Sequence, residues 1–365
     1  MVSNARQLAQ VPSVPSGRRN LIINGAMQVA QRATSSTGQT ATNAIFTVDR
    51  FNTEISGPTS FDIARVTDSP DGFSYSLKVT SNGSFSASSG QYIVPFEQRL
   101  EGQDLQHLSY GTSSAKSITV SFHIKSTKTG TYVLQARHES TAGQERIQAQ
   151  SYTIDSANTW EKKTIVFSGD TGDDIKNDNT APFTFYWWMI AGSGFSDGTL
   201  ATSWQDTVAG NRAVGVASSS ADDDSWQITG VQMEVGSVAT EFEHRSFGEE
   251  LALCQRYYYN SVQETSGINA HMIHILGVFT TTRGFFGLDT PVPMRSAPTI
   301  GLTGSANLRT GNLTAEGTLT AVSIYAAMFN NTRFSIDCTF GSSTANTFRG
   351  ISLGQNGGFL LDAEL

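Results

Sequence analysis

The stretch Ile118-Thr119-Val120-Ser121-Phe122-His123-Ile124-Lys125 alternates large apolar and polar side chains without a break. Successive side chains of a strand point to opposite faces, so Ile118, Val120, Phe122 and Ile124 share one face while Thr119, Ser121, His123 and Lys125 share the other. One face is core and the other is wet. Tyr132, Leu134 and Ala136 repeat the pattern against Val133, Gln135 and Arg137, and Lys128-Thr129-Gly130 between the two runs reads as a hairpin turn. The expectation is a two-stranded antiparallel unit with one buried face.

Outward from this unit, short apolar runs recur between turn-rich ones: Leu21 to Gln28, Phe46 to Phe51, Phe61 to Val66, Tyr75 to Val79, Tyr92 to Phe96, Thr164 to Phe167 and Phe183 to Ile190. About ten strands in roughly 210 residues favour a jelly-roll β-sandwich over a small barrel. In the last run of this region Trp226 and Ile228 share one parity, and Val231, Met233 and Val235 share the other. A one-residue bulge at Gly230 keeps both sets on the core face.

The predicted architecture is therefore all-β, with an extended N-terminal arm over 1–19, a jelly-roll domain over 20–244, a connector helix within 245–266 and a smaller β domain over 267–365. The arm is polar and broken by Pro12, Pro15 and Gly17. Ser246-Phe247-Gly248-Glu249 has the form of a capping box, and Leu251, Cys254 and Tyr258 follow at helical spacing, so the helix is expected from Phe247 to about Tyr258. Its apolar stripe, Leu251, Cys254 and Tyr258, is the candidate assembly surface, against a neighbouring domain or another chain. Beyond it, Phe334, Ile336, Cys338 and Phe340 alternate with Ser335, Asp337 and Thr339, which makes Cys338 a core thiol. Phe359, Leu361 and Ala363 alternate in the same way, so the last run reads as a paired strand.

Composition narrows the function. Of the 365 residues only 15% are charged, against about 25% in ordinary soluble domains. The net charge of −8 and the lack of a basic cluster argue against a nucleic-acid partner. Two cysteines make no disulfide framework and show no CxxC spacing. Met1 to Gly17 lacks the apolar stretch of a signal peptide, and no long apolar run occurs, so neither signal-dependent secretion nor membrane insertion is expected.

Four candidate sites stand out. Phe183-Thr184-Phe185-Tyr186-Trp187-Trp188-Met189-Ile190 is apolar on both faces, so Tyr186 and Trp188 make either a packing face or a sugar-stacking platform. Trp204, in a polar loop, is the next glycan-binding candidate, whereas Trp160 reads as a core residue at a strand start. Asp170, Asp173, Asp174 and Asp178 cluster in one loop and Asp222 to Asp224 in another. Calcium is the one cofactor considered, with Asp173, Asp174 and Asp178 as candidate ligands, but the spacing is not that of an EF-hand and solvated turns are the commoner reason. His271 and His274 would face opposite sides of a strand, which disfavours a shared metal. No nucleophile-elbow, zincin, Walker or Rossmann pattern appears, and no catalytic residue is assigned.

The run Asn20-Leu21-Ile22-Ile23-Asn24-Gly25-Ala26-Met27-Gln28-Val29-Ala30-Gln31-Arg32, then Val48-Asp49-Arg50-Phe51, then Val231-Gln232-Met233-Glu234-Val235-Gly236 continuing to Glu243, resembles tailed-bacteriophage virion proteins, chiefly tail-fibre-like appendages. Arg245-Ser246-Phe247-Gly248-Glu249-Glu250-Leu251-Ala252-Leu253-Cys254-Gln255-Arg256-Tyr257-Tyr258 belongs to the same pattern, and Pro293-Met294-Arg295-Ser296-Ala297-Pro298-Thr299 resembles the opening of their C-terminal β segment. The N-terminal two-thirds also resembles the jelly roll of carbohydrate-binding modules. Those modules usually close on an Asp-bearing, calcium-ligating strand, whereas this closing strand has Glu234.

The resemblance implies a non-enzymatic virion component, made and assembled in the host bacterial cytoplasm. It implies a homotrimer held to other virion proteins by its arm, with a host surface polysaccharide as partner of the jelly roll. A capsid decoration or head fibre is the alternative. A polysaccharide-degrading enzyme is the second, since paired glycosidase carboxylates need not be close in sequence.

Overall fold

The computed structural model describes residues 18–40, 44–45, 47–261, 271–303, 306–309, 315–328, 332–341, 347–353 and 358–364. The arm expected over 1–19 therefore lies outside the described residues, save for Arg18 and Arg19. The fold is all-β, a jelly-roll sandwich followed by a short helix and a smaller β domain. Among the described residues no helix is long and apolar enough to cross a membrane.

One layer of the sandwich has six strands in the order Ser35–Gln39, Phe61–Val66, Ser76–Ser81, Ser225–Val235, Ile118–Ser126 and Glu161–Phe167. The other has seven, with Tyr92–Leu100, Phe183–Trp188, Gly130–Glu139 and Glu145–Ile154 at its centre and Phe51–Ser56 paired to Tyr92–Leu100. The inner face follows the expected parity, with Ile118, Val120, Phe122 and Ile124 fully buried against Phe96, Phe185, Trp187 and Trp226. The opposite face is not wet as expected: Thr119 and Ser121 are buried as well, and His123 and Lys125 are half-buried.

The expected hairpin does not form. Ile118–Ser126 pairs with Ser225–Val235 and Glu161–Phe167, while Gly130–Glu139 pairs with Phe183–Trp188 and Glu145–Ile154. The link at 127–129 crosses from one sheet to the other. The crossing is fixed by Tyr132, whose hydroxyl donates to the Lys128 carbonyl at 2.7 Å and accepts from Trp226 Nε1 at 3.3 Å. Alternation is the same whether two strands pair or face each other across a core, so the pattern alone did not separate the two cases. The runs Leu21 to Gln28 and Phe46 to Phe51 also differ from expectation. Among their described residues they are irregular until the strand at Phe51, although Ile22, Met27 and Val48 are buried.

The bulge is present. Pairing of Ser225–Val235 with Ile118–Ser126 shifts register between Thr229 and Gln232, and Gly230 has φ 61°. Val231 and Met233 are buried as expected, whereas Val235, at the strand end, is exposed. The strand's other edge pairs with Ser76–Ser81 only from Ser225 to Ile228. Past the bulge that edge is taken by the segment at 20–25, where Leu21 N donates to Met233 O at 3.0 Å and Val231 N to Gly25 O at 2.9 Å. Gly25 is required by this approach, because a Cβ there would lie 2.0 Å from the Val231 carbonyl oxygen.

The capping box closes the helix Phe247–Gln255 through Ser246 and Glu249. The helix is shorter than expected. Tyr258 opens the strand Tyr258–Asn260, which joins Gly358–Asp362 and Thr299–Thr303 in a three-stranded sheet. The remaining strands of this domain, His271–Thr280, Arg283–Asp289, Arg333–Phe340, Ala315–Met328, Ala306–Arg309 and Thr347–Leu353, close a barrel. Cys338 is buried in its core, which pushes the thiol up to about 12. The side chains of His271 and His274 lie outside the described residues.

Replacing Gly230 by alanine forces a side chain into the left-handed region and places its Cβ 2.6 Å from Phe73 Cζ and 2.9 Å from His123 Nδ1. Denaturant unfolding of Gly230→Ala is expected to show a loss of about 1–3 kcal/mol. An unchanged midpoint would mean that the bulge does not set the register.

Candidate functional site

Segments that lie far apart in sequence, 20–32, 48–51, 231–243 and 245–258, meet at one place, the junction between the sandwich, the helix and the C-terminal domain. Asn24 organises the first turn. Its side chain donates to the carbonyls of Val29 and Asp49 at 2.8 and 2.9 Å and accepts from Val29 N at 3.0 Å, while its own amide donates to Glu250 of the helix. Glu250 is paired in turn with Arg245 at 3.3 Å, and Arg245 donates to the Ile22 carbonyl. Cys254 and Tyr257 pack on Ile23 and Val29, with Leu251 at the margin. The stripe proposed as an assembly surface is thus spent within the chain: Cys254 and Tyr258 are buried and Leu251 is half-buried.

Charged groups carry the contact onward. Glu101, at the end of a sandwich strand, is buried and accepts from Arg256 Nε and Nη2 at 2.7 Å each and from the Tyr257 hydroxyl at 2.5 Å. Burial alone would raise this carboxyl, but the hydrogen bonds from Arg256 and Tyr257 outweigh it and hold it below its ordinary value. Arg50 lies with its guanidinium carbon 3.5 Å from the centre of the Tyr257 ring, pairs with Glu364 and donates to the Arg99 carbonyl at 2.6 Å. Arg32 stacks on Tyr258 at 3.7 Å and pairs with Asp362 at 3.1 Å. Arg295 spans the gap from the other side, donating to the carbonyls of Asn179, Ala363 and Glu364 at 2.8 to 2.9 Å.

Three residues of the junction, Asn24, Met27 and Arg50, have φ of 61°, 57° and 71°. A non-glycine residue holds this conformation only where its surroundings over-determine it. Here the Arg50 side chain has no freedom, clamped between an aromatic ring, a carboxylate and a carbonyl.

Asp49 is the exception to the favourable pairing. It accepts from the Gln31 amide at 2.9 Å and from Gln31 Nε2, while Arg32 stands 4.0 Å away. Burial dominates and pushes its carboxyl up to about 6, against those hydrogen bonds and the Arg32 charge.

The aromatic candidates do not form a platform. Tyr186 and Trp188 are 5% and 1% exposed, beneath the segment at 191–216. Trp188 donates from Nε1 to Gln135 at 2.8 Å, with Phe195 5.4 Å from its ring and the Arg212 guanidinium 4.8 Å away. The Tyr186 hydroxyl accepts from Arg137 at 3.2 Å. Neither ring presents a free face, and the run is apolar on both sides because it packs on both sides. Trp204 donates to the Ser168 carbonyl at 2.6 Å and lies edge-on to His138 at 4.9 Å, closing one end of the core while staying partly exposed. Trp160 is not a core residue. It lies half-buried outside the sandwich, its Nε1 donating to Asp68 at 3.2 Å.

The acidic loop is likewise committed to local contacts. Asp170 accepts from His138 Nε2 at 2.9 Å and from Arg146, and although burial acts to raise it, these bonds hold it well below the carboxylate range. Asp173 pairs with Arg146 at 3.6 Å, Asp174 accepts from Thr141 N at 2.9 Å, and Asp178 from Thr180 N at 2.9 Å. The candidate calcium ligands point to three different partners. Among the described residues no group of three acidic, His or Cys side chains is placed to hold a metal.

No protein-family model matches the chain, and no curated protein matches it. Among solved structures it is similar to the enzymatically active domain of tailspike protein 4 of bacteriophage CBA120, at 12% identity and TM-score 0.30, over 59% of this chain and 21% of that one. It is similar to a family 22 xylan-binding domain at 10% identity and TM-score 0.31, over 56% of this chain and 98% of the domain. A family 11 carbohydrate-binding module of a Clostridium thermocellum cellulosomal cellulase matches at 12% identity and TM-score 0.28, over 59% of this chain and 99% of the module.

The raised carboxyl gives the junction a pH signature. Folded Asp49 keeps its proton up to about pH 6, whereas the unfolded chain releases it near 3.8. Its contribution to stability is complete below the lower value and is lost as pH rises through the upper one. Thermal melts of Asp49→Asn should therefore gain on the unmodified protein between about pH 4 and about pH 6. A constant difference between the two proteins over that range would contradict the assignment.

Proposed function

We propose that this protein is a non-enzymatic structural component of a phage virion, a tail fibre or similar appendage that engages the host surface. The observation that carries this reading is the convergence of the phage-like segments, 20–32, 48–51, 231–243 and 245–258, on one junction. These segments lock a sandwich to a second β domain through ion pairs and stacked rings, which suits a part that must hold its domains in fixed orientation under load. Many small polar residues and few charges fit a surface exposed outside the cell. In this reading the chain is made in the host cytoplasm, assembles as a homotrimer and attaches to other virion proteins through 1–19.

Antibody raised against the purified protein should place gold label on the tails of virions produced from the genome that encodes it. Label absent from intact particles, with the protein detected only in the unassembled fraction of the lysate, would contradict the reading.

A further inference from the structure

The outer wall of the C-terminal barrel carries aromatic side chains where its alternation calls only for groups that face water. Val278, Phe286, Phe334 and Ile336 point into the barrel and are buried. The outward positions around them are mostly small or polar, among them Thr280, Ser323, Ser335 and Thr339. Yet Phe279 is 64% exposed and Tyr325 is 67% exposed on this wall.

The two rings are joined by a third. Phe285 lies edge-to-face with both, its centroid 6.3 Å from that of Phe279 and 5.2 Å from that of Tyr325, at interplanar angles of 68° and 70°. The Arg283 guanidinium sits 5.4 Å from the Phe285 ring and is held there by Asp337, which accepts from Arg283 Nε at 2.9 Å. The trio is thus braced before any ligand arrives, and little conformational freedom remains to be lost on binding.

Size and surroundings select the occupant. A fully buried aromatic side chain covers about 150–250 Å². Two rings exposed by about two thirds and a third in part offer roughly 300–400 Å² of apolar surface, against the ~800 Å² per partner of a stable protein interface. The patch is bordered by hydroxyls and by a charged pair with donors and acceptors to spare. A pyranose has this mixed character: one apolar C–H face that stacks on a ring, and a rim of hydroxyls that hydrogen-bond to Arg and Asp.

We propose that Phe279, Phe285 and Tyr325, with Arg283 and Asp337, form a carbohydrate-binding platform for a bacterial surface polysaccharide. The proposal rests on the attachment reading above and moves the glycan contact from the jelly roll to the barrel. Phe279 and Tyr325 supply the stacking faces. Phe285 acts as a positioning residue, and the Arg283–Asp337 pair addresses the hydroxyls.

The full chain, Tyr325→Ala, and the double variant Phe279→Ala/Tyr325→Ala can be compared on a printed array of bacterial O-antigen and capsular polysaccharides. Thermal melts and sedimentation run alongside. Because both side chains are exposed, the melts should be unchanged. The unmodified protein is expected to retain a subset of the glycans, the single variant to bind them about tenfold more weakly and the double variant not at all. Undiminished binding by the double variant would overturn the platform while leaving attachment intact at another place. No retained glycan with the unmodified protein would overturn it too, and virion labelling would still decide the attachment reading separately. A double variant that sediments as a smaller species would show the patch to be a contact between subunits, which also overturns the proposal.

Discussion

A buried carboxylate cannot stay charged without partners, and Glu101 finds its partners across a domain boundary. The carboxylate belongs to the sandwich, while Arg256 and Tyr257 belong to the segment that leads into the C-terminal domain. Arg50 repeats the arrangement with the roles exchanged: its cation comes from the sandwich, and Glu364 comes from the far end of the second domain. Separating the two domains would strand an ion on each side. Removing one partner of a buried pair typically costs about 3–5 kcal/mol, more than most single contacts supply.

This constraint explains features that would otherwise look like defects. The backbone at Asn24, Met27 and Arg50 sits where non-glycine residues rarely sit, and Gly25 is pressed against the Val231 carbonyl. These costs are local. They are offset because the irregular segment at 20–32 must touch the bulged strand, the helix and the C-terminal sheet at once, and no regular element reaches all three. Buried ion pairs often add little net stability over apolar packing, so the gain here is orientation: one way of docking brings Glu101 to Arg256 and Arg50 to Glu364.

Much of the fold was legible because burial leaves a periodic trace. Ile118 to Lys125 showed its inner face, Phe61–Val66 its limits, Ser246 and Glu249 the helix start, and the parity change its bulge at Gly230. Sheet membership was not legible, since a strand alternates identically whichever neighbours it has. The second apolar face at Tyr186 and Trp188 was visible, but the segment at 191–216 that covers it carries no comparable pattern. The junction was legible only as segments scattered between positions 20 and 258. The roles of Asp49, Arg50 and Glu101 depend on partners as distant as Arg50 and Glu364, which are separated by 314 positions. Phe279 and Tyr325 did leave a signal. Each follows an inward-facing residue, Val278 or Ile324, and two adjacent large apolar residues in a half-buried strand oblige one of them to face water.

The central claim is that the junction makes the two β domains one cooperative body. Calorimetric unfolding of the unmodified protein near neutral pH tests it most directly. The account predicts a single transition whose calorimetric and van't Hoff enthalpies agree. Two resolved transitions, with the C-terminal domain melting apart from an intact sandwich, would contradict it.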